Sequence, residues 1–440
     1  MKLSGWGRYP VIDAIVATPR TETALTEKVR AGTAIARGCG RAYGDSAVSR
    51  RNTIEMRHFD KMLGFDSTTG QLVAEAGVTL ADVITTFLPR GWFPSVTPGT
   101  KFVTLGGMIA ADVHGKNHHR DGGMAHVVDW IDVMNASGEV ARCSRNENAD
   151  LFRWTLGGMG LTGVILRAAI RLRRVETGWI KQTMIPAAGL DAAMDAFEKA
   201  ENATYSVAWI DCLSRGSALG RSLVMLGEHA SRGELGERQQ TDRYALGPRR
   251  KLAVPFDLPV FLLNGLTVRT FNRLYHWNGA RKAGPRLVDW DAYFYPLDSI
   301  LGWNRVYGRR GFLQFQCVLP LGNSRQGLRA LLEAISRAGT GSFLAVLKLL
   351  GKEEGLFSFP MPGYTLALDF PANARTLALM GTLDRIVIDH GGRFYLAKDS
   401  RMSAETLAAS DARADAFTRM RKANGLSSVF QSAQSERLAL

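Results

Sequence analysis

The sequence predicts an α+β protein of two domains, and three observations carry that reading. The chain has 440 residues, more than one ordinary hydrophobic core holds. Short helical and strand patterns alternate through residues 22–175 amid an unusual density of glycine, whereas the patterns beyond Val175 are longer. Those later segments place strands and helices in an order that suits an antiparallel sheet with helices on one face.

In the first part, Glu22–Arg30 reads as a helix, and Thr33–Ala36, Thr53–Met56 and Leu72–Ala76 read as strands. Thr79–Leu88 reads as a helix because Leu80, Val83 and Phe87 fall on one face. Asp150–Leu156 is helical in pattern, and Val164–Arg173 alternates like a strand. In the second part, helices are expected at Leu190–Ala203, Arg325–Ala338 and Ala374–His390. Strands are expected at Tyr205–Asp211, Phe312–Leu319, Ser342–Leu350, Tyr364–Phe370 and Arg393–Ala397. A last helix is expected from Ser403, a good N-cap with Glu405 in its first turn, to about Lys422. Residues 229–282 fit neither pattern. They hold the basic run Arg249, Arg250 and Lys251, then Val254, Phe256, Leu258, Val260, Phe261, Leu262 and Leu263, broken by Pro255 and Pro259.

Composition narrows the classes. Hydrophobic residues at 46% and charged residues at 22% describe a folded globular chain. A net charge of +14 asks for an anionic partner: nucleic acid, anionic lipid or a phosphorylated substrate. Cys39, Cys143, Cys212 and Cys317 lie far apart with no CxxC pair, which speaks against a zinc site or disulfide framework and suits a reducing compartment. The N-terminal stretch lacks the apolar core of a signal peptide, and no run of about 18 apolar residues occurs. A cytoplasmic protein is the resulting expectation.

Three glycine clusters stand out. The first runs Ala36, Arg37, Gly38, Cys39, Gly40, Arg41, Ala42, Tyr43, Gly44, Asp45 directly after a short strand. Glycines there let backbone N–H groups approach a ligand that a Cβ would hold away, as a pyrophosphate requires. The second runs from Thr97, Pro98, Gly99 and Thr100 to Gly106 and Gly107, then Ile109 to His119. The third, Gly157 to Gly163, contains a literal GxGxxG. A dinucleotide fingerprint needs a strand before it and a helix after it, and here the order is reversed, so a Rossmann nicotinamide site is not expected.

Taken together, GCGRAYGD, TPGT with ADVHGKNHH, and GGMGLTG resemble the vanillyl-alcohol-oxidase-type FAD-binding (PCMH-type) oxidoreductases and, among them, the decaprenylphosphoryl-β-D-ribose 2-oxidases. The likeness continues through Tyr293–Asp298, Gly311–Gln316, Tyr395–Arg401, Ser428–Phe430 and Arg437–Leu438. The resemblance implies an FAD domain at 1–175 completed by 400–440, and a substrate domain at 176–399. It implies flavin and pyrophosphate contacts from Arg37, Gly38, Cys39, Gly40, Arg41, Ala42, Tyr43, Gly44, Asp45 and Ser46. Gly99, Thr104, Leu105, Gly106, Gly107, Ala111, Asp112, Val113, His114, Val164 and Tyr395 complete that set. Several relatives attach FAD through a histidine where this chain has Arg41, so noncovalent FAD is expected. Mycobacterial relatives carry a cysteine beside the flavin where this chain has Ala367, so a thiol-directed inhibitor would find nothing to attack there.

Oxidising a secondary alcohol moves hydride to the flavin while the hydroxyl proton leaves, and the protein must position the C–H bond. Lys398, read as closing the strand Arg393–Ala397, is either a snorkelling strand-end lysine or, as the resemblance implies, the residue that steadies the sugar hydroxyl. Gln314 and Gln316 share one strand face opposite Leu313, Phe315 and Cys317, and by resemblance line the sugar pocket. Lys348 either meets a substrate phosphate or marks an edge strand. Lys116 meets substrate phosphate or reduced flavin, and Tyr43 closes over the ring or simply packs. His118 and His119 have no carboxylate or cysteine near in sequence at ligand spacing, so no metal is assigned.

The implied activity is oxidation of the 2-hydroxyl of a polyprenyl-phosphoryl-β-D-ribose to the ketone, the first half of epimerisation to an arabinose donor for cell-envelope glycan. A short-chain reductase partner and a quinone-like electron acceptor follow from that reading. The basic, apolar stretch at 249–263 is either a membrane-surface contact at the inner face, the periplasmic side remaining open, or a solvated loop before a core helix. A soluble aldonolactone or alditol oxidase is the alternative, and a flavin- or partner-binding protein without turnover is a third. No nucleic-acid motif is present.

Overall fold

The computed structural model describes residues 1–247, 251–259, 264–342 and 344–440. After a short antiparallel pair, Lys2–Leu3 with Ile12–Asp13, come β1 (Val16–Ala17), α1 (Glu22–Arg30), β2 (Ile35–Arg37) and β3 (Thr53–Glu55). The three strands form a small parallel sheet with β3 in the middle. Helix α1 starts where the Thr21 hydroxyl accepts from the Ala24 N–H at 3.2 Å, and Lys28 and Arg30 complement its C-terminal dipole. Its Leu25 and Val29 are fully buried.

There follow β4 (Met62–Asp66), β5 (Gln71–Glu75), α2 (Leu80–Phe87), β6 (Trp92–Pro94), α3 (Leu105–Ala110), β7 (Val128–Met134), β8 (Val140–Ser144), α4 (Ala149–Thr155) and β9 (Val164–Arg174). The strands make an antiparallel sheet in the order β8-β7-β9-β5-β4, with β6 paired to the far end of β9. A capping box between Thr79 and Asp82 starts α2, and Leu80, Val83 and Phe87 bury its apolar face.

Beyond Val175 the chain builds one large sheet. Its elements are β10 (Trp179–Ala187), α5 (Leu190–Lys199), β11 (Tyr205–Ile210), β12 (Ser222–His229), α6 (Gly265–Ala280), β13 (Gly284–Asp289), β14 (Phe312–Pro320), α7 (Leu321–Ala338), β15 (Ala345–Leu350), β16 (Gly363–Pro371), α8 (Ala374–Asp389) and β17 (Arg393–Phe394). The order across this antiparallel sheet is β13-β10-β12-β11-β15-β16-β14-β17. One face packs Leu313, Phe315, Leu366 and Leu368 against α5, α7 and α8 through Phe197, Leu331, Leu332 and Val387. The other face carries the candidate site, partly roofed by α6, whose Tyr275 ring lies 4.8 Å from that of Trp209. Last come α9 (Ala404–Ser410), α10 (Arg413–Ala423) and α11 (Ala433–Leu438). They return to the first unit: Ala34 bridges to Phe430, and Leu426 and Phe430 share a core with Leu25, Val29 and Ile54. The α+β class therefore holds, and no described helix is long and apolar enough to cross a membrane.

Several boundaries differ from the sequence reading. The strand expected at Arg393–Ala397 stops at Phe394, because the Lys398 N–H turns back to the Tyr395 carbonyl at 2.9 Å. Lys398 thus sits in a turn rather than at a strand end. The single C-terminal helix is two, broken at Asp411, whose N–H closes α9 on Leu407 while its carboxylate caps Arg413. Helix α5 ends at Lys199, where the Ala200 N–H turns onto Phe197, and α7 starts four residues early at Leu321. The first strand shifts to Ile35–Arg37, and β15 starts only at Ala345. The irregular stretch contains a well-capped helix, α6, with the Asn264 side chain accepting from Leu266 and Thr267. Of the residues singled out there, Arg249, Arg250, Val260, Phe261, Leu262 and Leu263 lie outside the described residues.

The C-terminus is held by charge. Arg437 donates to Asp45 at 2.7 Å and to Asp399 at 2.9 Å, and both carboxylates are buried. Removing the cation strands two buried anions, which costs far more than an exposed pair would. Arg437→Leu is expected to lower stability by about 3–5 kcal/mol in urea unfolding; an unchanged midpoint contradicts this assignment.

Candidate active site

One cavity of about 560 Å³ runs between the glycine loops and the open face of the large sheet. Its first wall is the loop after β2. A Cβ on Gly38 would come within 2.1 Å of the Thr104 hydroxyl, so glycine is what lets the first and second loops touch. Gly40 adopts φ 61°, and a Cβ there would strike the Arg37 guanidinium. The Tyr43 N–H donates to the Ala397 carbonyl at 2.9 Å, while the amides of Gly38 to Ala42 find no protein acceptor among the described residues.

The expected contacts divide into two groups. Gly38, Cys39, Gly40, Arg41, Ala42, Tyr43, Ser46, Gly99, Thr104, Gly106, Gly107, Ala111, Val113, His114 and Tyr395 line the cavity. Six others lie behind its wall and brace it. Arg37 donates to the Ser4 and Ala47 carbonyls, and Gly44 packs on Asp399 and Ser400. Asp45 is taken by Arg437, and Leu105 is core. Asp112 accepts from Ala125 N–H and Ser358. Val164 points into the core with Leu25, while its neighbours Gly163 and Ile165 reach the cavity. The GxGxxG loop does follow a helix and precede a strand, yet its Met159 and Gly160 also line the cavity.

The second wall comes from the large sheet. Gln314 and Gln316 on β14, Lys348 on β15 and Ala367 on β16 share one face, as period-2 alternation requires. Strand β15 lies between β11 and β16, so Lys348 does not mark an edge. Lys398 places its Nζ 3.9 Å from the centre of the Tyr43 ring. The Gln316 amide meets His114 Nε2 at 3.0 Å and Thr365 Oγ1 at 3.2 Å. Burial, then the charges of Lys348, His118 and Lys398, hold His114 well below the usual imidazole range, so its ring is neutral and Nε2 accepts. Lys116 donates to the Tyr293 carbonyl and sits 4.2 Å over that ring.

Charge in this cavity is lopsided. Burial brings Lys116 down to about 7, with Lys348 adding repulsion. Burial brings Lys348 down to about 8. Lys398 is lowered by burial and by Lys348, against the pull of Asp369. Asp369 itself is raised by burial, and Gln314 donates to it at 2.5 Å. Sequence reasoning passed over Asp369, although a carboxylate inside the apolar strand Tyr364–Phe370 was the available signal. It also passed over Gln182, Met184, Trp209, Met225 and Arg286, which extend the cavity across the sheet. The two adjacent histidines do other work: His118 meets Glu353 at 2.9 Å, and His119 meets the Ala203 carbonyl at 2.9 Å. Glu353, remote in sequence, also meets His126 at 3.2 Å.

FAD fits these walls. Buried polar atoms without a protein partner, including Arg41 Nε, His114 Nδ1 and Gln314 Oε1, gather where a polar ligand would supply their bonds. The free amides of the first loop suit a pyrophosphate. Comparison with known proteins agrees. Residues 14–144 match an FAD binding domain family. The chain is 36% identical, over 100% of its length and 97% of the relative's, to decaprenylphosphoryl-β-D-ribose oxidase of Mycolicibacterium smegmatis. More partial likenesses are to L-gulonolactone oxidase of Bos taurus, 28% identical over 42% of this chain and 43% of the relative. Cytokinin dehydrogenase 5 of Arabidopsis thaliana is 33% identical over 33% of this chain and 28% of the relative.

The lysine charges have a thermodynamic signature. Lys348 titrates at about 8 in the fold against an ordinary 10.5. Between those values the unfolded chain binds more protons, so the wild type gains stability as pH rises through that window and carries the full cost of the buried charge below it. Lys348→Met is expected to be more stable than wild type at pH 7 by roughly 1–2 kcal/mol and to lose that advantage by about pH 10. Thermal unfolding across pH checks this; a variant weakened more at pH 7 than at pH 10 contradicts it.

Proposed function

The chain belongs to the family of FAD-dependent oxidoreductases that includes mycobacterial decaprenylphosphoryl-β-D-ribose oxidase, and on that premise we propose that it oxidises the 2-hydroxyl of a polyprenyl-phosphoryl-β-D-ribose to the 2-keto sugar. The observation that carries this reading is the cavity itself. A cradle for FAD, a polar pocket with Lys398, Gln314 and Gln316, two further lysines and an apolar extension form one continuous space.

FAD, when bound, supplies the acceptor for the hydride. It is held noncovalently here, since Arg41 occupies the loop position where a histidine would attach it, with its guanidinium 4.2 Å over Trp6. Gln314 and Gln316 orient the ribose hydroxyls. Lys398 Nζ, kept in place over Tyr43, holds the reacting oxygen and stabilises the negative charge that develops as its proton passes to solvent. Neutral His114 steadies Gln316, and Tyr395 closes the wall, its hydroxyl donating to the Ala111 carbonyl at 3.0 Å. Lys348 and Lys116 take the substrate phosphate, whose charge strengthens their hold on protons.

A soluble sugar would need neither these two lysines nor the apolar extension, which weighs against an aldonolactone or alditol oxidase. The ketone calls for a separate short-chain reductase to complete epimerisation to the arabinose donor, and for a quinone-like carrier to take the electrons. A lipid-linked substrate places the enzyme peripherally at a membrane, on the cytoplasmic face. Lys251 and the exposed Leu252, Phe256, Leu266, Leu274 and Trp277 are the surface offered to it. Anaerobic addition of polyprenyl-phosphoryl-ribose should bleach the flavin absorbance, faster from anionic than from zwitterionic vesicles, while free aldonolactones leave it oxidised. A spectrum that stays oxidised with the lipid-linked sugar contradicts the reading.

A further inference from the structure

Beyond the lysines the cavity does not end; it continues across the open face of the large sheet. Val346 on β15 is the register partner of Trp209 on β11. Val207, two residues along β11 and on the same face, pairs with Met225 on β12. Met225 pairs in turn with Met184 on β10, and Gln182, two residues from Met184, pairs with Arg286 on β13. All of these side chains line the same cavity as Lys398. They form an unbroken strip that is apolar from Val346 to Met184 and polar only at its far end.

Length decides what the strip can hold. From Lys348 on β15 to Arg286 on β13 is four strand steps, about 19 Å at about 4.8 Å per step. The phosphate of a phosphoryl-ribose sits on the carbon next to the one oxidised, so it cannot lie at Arg286 while the sugar lies at Lys398. It must stay with Lys348 and Lys116. What leaves the phosphate and runs on across the sheet is the apolar tail. The roof agrees, because Tyr275 of α6 closes over Trp209, and the outer side of α6 exposes Leu274 at 59% and Trp277 at 54%.

Resting on the function proposed above, we infer that the strip Trp209–Val207–Met225–Met184 is the binding groove for the first few isoprene units of the substrate, entered beneath α6. Methionine suits this task, since its flexible thioether fits an irregular chain. The groove makes tail length a determinant of affinity, separately from the chemistry at the sugar.

Farnesyl phosphate and isopentenyl phosphate test this by calorimetry on the FAD-loaded full chain. Neither carries a sugar, so the result stands whether or not ribose is oxidised. The wild type is expected to bind farnesyl phosphate at least about tenfold more tightly. Met225→Trp, which fills the groove midway, should bring farnesyl phosphate to within about twofold of isopentenyl phosphate and leave the shorter ligand's affinity unchanged. Val207→Trp blocks the same groove from the neighbouring strand and guards against misfolding of the first variant. Equal affinity for the two ligands in the wild type overturns the inference, and so does a preference that survives both variants.

Discussion

Three lysine side chains share one desolvated cavity, and among the described residues only Lys398 has a carboxylate, Asp369, pulling against the cost of burial. An ammonium group taken from water without a partner is expensive, so each is accommodated by other means. Lys398 rests over the Tyr43 ring, and Lys116 is taken by the Tyr293 carbonyl and ring. Lys348 is planted on an interior strand and lines the cavity from the sheet side. The remaining positive charge is what makes the cavity selective for an anionic substrate. Many placements elsewhere in the structure serve to hold these groups where they would not otherwise stay.

The turn carrying Lys398 shows how. Its backbone is held by β14 through the Tyr395 N–H and by the first glycine loop through Tyr43. From the C-terminal segment, the Gln434 amide donates to the Leu396 carbonyl at 2.7 Å, and Arg437 clamps Asp399 to Asp45. Elements from the start, middle and end of the chain therefore converge on one residue. The C-terminal helices are part of the site's support although none of their side chains lines the cavity.

Sequence reading recovered what rests on local rules. Helix α1 has the bounds its pattern indicates, and the alternation in β14 correctly put Gln314 and Gln316 on the face away from Leu313, Phe315 and Cys317. It failed where tertiary geometry decides. Apolar alternation continues through Phe394, Leu396 and Ala397, yet the chain turns there because the glycine loop and Gln434 capture its backbone. Arg37, Asp45 and Asp112 belong to the right motifs but face inward, each taken by a partner far along the chain or across a loop. Trp209, Met225, Met184 and Arg286 carry no motif, and only the order of strands in the sheet brings them into line. Fold class and cofactor were thus legible, whereas the tail groove was not.

Burial weakens the hold of Lys348 and Lys116 on their protons, and a bound anion strengthens it. Calorimetric titration of farnesyl phosphate at pH 8, repeated in buffers of different ionisation enthalpy, measures the protons taken up on binding. The ligand's own phosphate is already fully ionised at that pH, its second pKa being about 6. Net proton uptake is the predicted result, because the bound phosphate raises the affinity of Lys348 and Lys116 for protons. Proton release, or no exchange at all, would contradict the claim that this cavity is built around lysines whose weakened proton affinity a phosphate restores.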